Sequence, residues 1–138
     1  MPRERTRQLA LAGVLALVAI VVLHQPQLSL QNIIIGPGAY PVSTMVFLKL
    51  SVGFLTSLVV LAICKVFIRN LSYRSIAVAV IVQVLWIEFE WNFAVRAADL
   101  GELLIRFSEE LGTVLAGGVV IGFLRLRDRS LGGSKAQP

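Results

Sequence analysis

From residue 9 to residue 23 the chain runs fifteen positions without one polar side chain, and three further apolar stretches follow at about 42–68, 76–93 and 103–124. Gln8 and His24 extend the first to a span of 8–24. A helix rises ~1.5 Å per residue, so roughly 20 residues cross the ~30 Å hydrocarbon layer of a bilayer. The first stretch is short by that measure and the second is long enough to tilt. Lipid offers no partner to a backbone N–H or C=O, so segments of this kind must be helical. The expected fold is all-α: a polytopic membrane protein whose four transmembrane helices form a small bundle.

Composition agrees. The chain is 57% hydrophobic and 15% charged, with a mean hydropathy of +0.81, whereas soluble domains carry roughly 25% charged residues. Its 138 residues suffice for one transmembrane domain over 1–130, with a short flexible tail over 131–138. One cysteine (Cys64) and one histidine (His24) leave no intramolecular disulfide, no bis-histidine haem and no zinc or copper ligand set, so no metal or cofactor is expected. No phosphate-binding loop, serine nucleophile constellation or dinucleotide fingerprint is present, and no enzymatic activity is expected.

The net charge of +5 is explained by topology, and a nucleic-acid partner is not needed for it. Arg3, Arg5 and Arg7 precede the first span; Lys65, Arg69 and Arg74 lie between the second and third; Arg125, Arg127, Arg129 and Lys135 follow the fourth. These are ten of the thirteen Lys and Arg. The connection over 25–41 has none and that between the third and fourth spans has only Arg96. The positive-inside rule then places both termini in the cytoplasm, in the plasma membrane of a prokaryote. The basic start and apolar core of the first stretch also match a secretory signal. However, His24-Gln25-Pro26-Gln27 offers no small-x-small cleavage site, and loss of the span would break the alternation of charge.

Ionisable groups inside the spans carry the functional lead. Glu88 and Glu90 lie in the third, Arg106, Glu109 and Glu110 in the fourth, and Lys49 in the second. Each costs at least ~2.5–3.5 kcal/mol at a bilayer centre. Counting ~1.5 Å per residue puts all six in the outer half of the membrane. Arg106 is three and four residues before Glu109 and Glu110 and can reach either, or a carboxylate of the third span. Glu88 and Glu90 are about 200° apart on the helix and cannot face the same partner helix. Two readings stay open: neutralised charges near the headgroups, within a Trp86/Trp91 aromatic belt, or a solvated ion site.

Small residues mark helix contacts. The fourth span carries Gly112 and a Gly118-x-x-x-Gly122 pair, and Ala12 and Ala16 make a similar surface on the first; both are expected chiefly within the bundle. Cys64 is expected to face lipid, His24 the outer interface, and Gly36-Pro37-Gly38-Ala39 a turn. The four-span layout with its basic second loop is similar to small phosphate-starvation-inducible membrane proteins, a likeness of spacing and charge placement that carries over no functional residue. Two function classes follow. One is a non-catalytic accessory or assembly subunit, partnered by other membrane subunits or by copies of itself. The other is a homo-oligomeric channel or proton- or cation-coupled carrier built on the acidic cluster.

Overall fold

The computed structural model describes residues 2–35, 40–69, 71–94 and 100–136, and every regular element among them is an α-helix. These are α1 (Pro2–Ile35), α2 (Val42–Phe67), α3 (Tyr73–Ala94) and α4 (Leu100–Ala136). Three of them hold segments long and apolar enough to cross a membrane: Arg3–Gln31, Val42–Phe67 and Leu100–Leu131. That marks an integral membrane protein.

Two helices outrun their expected limits. α1 does not stop at His24 but continues to Ile35 with Pro26 inside it. A proline lacks the N–H that would bond the i−4 carbonyl, here that of Val22, and its ring crowds that oxygen, but the turns on either side keep their bonds. In consequence Gln31 becomes a buried helical residue. α4 likewise stays helical to Ala136, through residues expected to form a flexible tail. The expected turn at 36–39, together with Arg96 and Asp99, lies outside the described residues, as do the side chains of Trp91, Asn92 and Lys135.

Helix pairing follows from side-chain size. α2 packs most extensively on α4, α1 on α3, and lesser contacts join α3 to α4 and α1 to α2. Among the described residues α1 and α4 do not meet, so the helices form a ring in the order α1, α2, α4, α3. Contacts along the ring fix direction. Gly13 of α1 faces Val78 and Val82 of α3; Cys64 of α2 lies level with Ala12; Tyr73 of α3 reaches Asp128 near the end of α4. Successive helices therefore run alternately up and down, and the start of α1 shares an end of the bundle with the last turns of α4.

The apolar core sits toward that end. Ala12, Ala16, Ala19 and Ile20 on one face of α1 meet Val60, Leu61 and Cys64 of α2 and Ile76 and Ala79 of α3. Positions 12, 16, 19 and 20 repeat at helical spacing, and alanines allow close approach. Cys64 is thus not a lipid-facing residue: it is fully buried, its Sγ 4.0 Å from the Ala12 carbonyl oxygen. A thiol is small enough for a tight α1–α2 contact, and this one behaves as a small apolar group.

The closest crossing is between α2 and α4. A Cβ added at Gly53 would overlap the Glu109 carbonyl oxygen; one at Gly112 would overlap the Leu50 carbonyl oxygen and stand 2.9 Å from the Phe54 nitrogen. Backbone faces backbone there, and Gly53-x-x-x-Ser57 lies against Gly112-x-x-x-Ala116. Gly118 and Gly122 depart from expectation. A Cβ at either would meet nothing within 4 Å, so this pair faces outward and takes no part in packing within the chain. Gly118 is six residues beyond Gly112, about 240° around the helix, and so turns away from α2.

Candidate functional site

At the opposite end of the bundle the ionisable groups of all four helices converge. The strongest contact joins α3 to α4. Arg106 Nε donates to Glu88 Oε1 at 2.9 Å, and its Nη2 donates to Glu88 Oε2. This two-pronged arrangement matches the planar guanidinium to the carboxylate and fixes the register of the two helices. Arg106 also lies 3.8 Å from Glu110, one turn along α4.

A second contact crosses from α2 to its neighbours. Lys49 Nζ donates to Gln31 Oε1 of α1 at 2.9 Å and lies 3.8 Å from Glu109 of α4. Glu109 and Gln31 are both more than nine-tenths buried. The third contact joins α1 to α3, where His24 Nδ1 meets a carboxyl oxygen of Glu90. That is an ion pair whenever the imidazole is protonated. Trp86, one turn below Glu90, presents its ring edge-on to His24, with ring centres 6.3 Å apart.

The geometry divides the residues expected from sequence into two groups and leaves Glu90 apart from both. Glu88, Arg106 and Glu110 form one, along the α3–α4 seam. Lys49 and Glu109 form the other, and Glu90 turns the opposite way from Glu88, toward α1. The 200° separation of the two glutamates accounts for that split. Arg106 bonds its i+4 neighbour and the facing helix and leaves Glu109 to Lys49. Sequence reasoning did not assign His24 or Gln31 to the cluster. For His24 the signal was available, since it ends the first apolar run at the level of Glu90. Gln31 was hidden by the apparent break at Pro26.

Hydroxyl side chains below the cluster are absorbed locally. Ser108 donates to the Leu104 carbonyl at 2.6 Å and Thr113 to the Glu109 carbonyl at 3.1 Å, the usual way for a helix in lipid to satisfy them. Buried Gln83 does the same with the Ala79 carbonyl at 3.2 Å. On the outer side of the α3–α4 seam, Glu110 lines a groove of about 460 Å³ walled by Val84, Leu104, Phe107 and Leu111. No group of three or more His, Cys, Asp or Glu able to hold a metal occurs among the described residues. Four carboxylates (Glu88, Glu90, Glu109, Glu110) thus face two fixed cations (Lys49, Arg106) and one imidazole (His24). No family model matches the chain, and no curated protein or solved structure shows significant similarity to it.

Proposed function

We propose that this is a four-span protein of a prokaryotic plasma membrane, both ends cytoplasmic, acting as a non-catalytic accessory or assembly subunit of a larger membrane complex. The observation that carries this reading is the pairing of the charges. Glu88 with Arg106, Glu109 with Lys49 and Glu90 with His24 each join two different helices. Charges paired across helices brace a bundle and favour one register, which is what a packing subunit requires. At 22 residues, α3 rises about 33 Å, enough to cross the hydrocarbon layer with the other three. The outward Gly118 and Gly122 leave α4 with a surface on which a partner helix can lie closely.

Topology is tested by reporter fusions after Pro138 and within 36–41, between α1 and α2. The tail fusion is expected to report the cytoplasm; an external tail would overturn the orientation. Function is tested by purification in mild detergent from the native membrane. Distinct partner chains in fixed stoichiometry are expected, with loss of their assembly when this chain is deleted. A second reading, a proton- or cation-coupled channel or carrier, is favoured by the excess of carboxylates over fixed cations. It requires a flux from the purified chain in vesicles that a single Glu→Gln change at position 88, 90, 109 or 110 abolishes while the protein still assembles. Such a flux, from a preparation containing only this chain, would displace the subunit reading.

A further inference from the structure

The end of the bundle that holds the start of α1 and the last turns of α4 also carries a cavity of about 400 Å³, between α1 and α3. Arg5, Gln8 and Leu9 line it from α1, and Ser72, Tyr73 and Arg74 from the opening of α3. We propose that this cavity binds the phosphate-bearing headgroup of an anionic phospholipid of the cytoplasmic leaflet. The leaflet rests on the orientation proposed above; the cavity and its chemistry do not.

Charge and shape favour that ligand. Arg5 and Arg74 approach from opposite sides, and a guanidinium fork fits phosphate oxygens two at a time. α3 opens at this level, with Tyr73 as its first residue, and turns its positive dipole end toward the cavity. The first-turn N–H groups of a helix lack partners within it. An anion beside the opening of α3 is favoured by that end. The opening of α3 is held in place: Ser72 Oγ accepts the Ser75 N–H at 3.2 Å and lies 2.9 Å from the Ser75 hydroxyl. Tyr73 is fixed as a wall by α4, its hydroxyl donating to Asp128 at 3.1 Å and the Arg125 guanidinium lying 5.5 Å above its ring. Asp128 is engaged by Tyr73, and among the described residues neither Arg5 nor Arg74 takes part in an ion pair.

The position selects a lipid over a free anion. Arg5 and Arg74 lie just outside the apolar runs that begin at Leu9 and Ile76, the level at which headgroups meet the hydrocarbon layer. Leu9 gives the cavity an apolar side, suited to the glycerol and first acyl carbons and useless to inorganic phosphate. A basic pocket between helices on the cytoplasmic side is the expected form of such a site.

The full chain in neutral detergent would be titrated with short-chain phosphatidylglycerol, short-chain phosphatidylcholine and inorganic phosphate, read by native mass spectrometry. Saturable one-to-one binding of phosphatidylglycerol is expected. The Arg5→Gln/Arg74→Gln variant should weaken it about tenfold or more. The Arg127→Gln/Arg129→Gln variant, which removes equal charge from the same end of the bundle, should change it less than about twofold. Arg5 and Arg74 are exposed, so the fold survives their change, which an unaltered gel-filtration profile verifies. Equal weakening by both pairs would show a diffuse basic face and overturn the site. Displacement by inorganic phosphate at comparable concentration would overturn the lipid assignment. Detergent has no inside or outside, so a wrong orientation would appear in the reporter fusions and leave this binding unchanged.

Discussion

Alanine at Gly112 is expected to destabilise the protein by about 3 kcal/mol, while alanine at Gly118 or Gly122 is expected to be neutral or mildly stabilising. The contrast is large because the obstacle differs in kind. At Gly112 the new methyl meets the backbone of Leu50 and Phe54, which cannot swing aside as a side chain can. α2 and α4 must separate, and their crossing is the most extensive in the bundle. Gly53 presents the same obstacle from the other side, against the Glu109 carbonyl. Because Glu109 also faces Lys49 at 3.8 Å, the Gly53→Ala variant should disturb that ion pair too. At Gly118 and Gly122 the added methyl enters open space, and replacing a mid-helix glycine gains up to about 1 kcal/mol of helix stability. Heat- or detergent-induced unfolding of the four variants checks this. Equal losses at positions 112 and 118 would refute the pairing of α2 with α4 through Gly112. Loss of partner association in the Gly118 and Gly122 variants, with stability intact, would locate a partner on that face.

The same pair of helices shows how far sequence could go. Gly112 was legible, because a small residue inside an apolar span invites close packing. Gly53 carried the same signal with Ser57 one turn on, but a single glycine among hydroxyl and branched residues does not stand out. Which glycines face inward depends on helix rotation, and the periodicity of an apolar span in lipid says little about rotation: lipid-facing and core-facing positions are both hydrophobic. That is why Gly118-x-x-x-Gly122 looked like an internal contact and Cys64 like an external one. Polar residues carry more information. Glu88 and Glu90 had to diverge, and they do, toward Arg106 and His24 respectively. The identity of each partner needed the register between helices, which contacts distant in sequence determine. Gln31 needed more still, since only a helix continuous through Pro26 brings it to Lys49.

Loss of Arg106 is expected to be the most damaging charge change in the protein, and most of the damage should vanish when Glu88 is changed with it. The Arg106→Gln variant leaves the Glu88 and Glu110 carboxyls side by side with the bidentate partner gone, and breaking such a pair away from water costs about 3–5 kcal/mol. Glu88→Gln alone should cost less, because Arg106 keeps Glu110 one turn along its own helix. In the double variant an amide faces an amide across the α3–α4 seam and only Glu110 is left without its cation, so stability should recover by about 2–3 kcal/mol relative to Arg106→Gln. Arg106→Lys should fall between, retaining the charge but not the fork. Lys49 meets Glu109 at the α2–α4 contact rather than at the α3–α4 seam, so Lys49→Gln combined with Arg106→Gln should be close to additive. The measurement is a double-mutant cycle by detergent-induced unfolding, with gel filtration to confirm that each variant is monodisperse before unfolding. Equal losses for Arg106→Gln and the Arg106→Gln/Glu88→Gln double variant would mean the two side chains act independently, and the cross-helix bracing on which the subunit reading rests would fall with them.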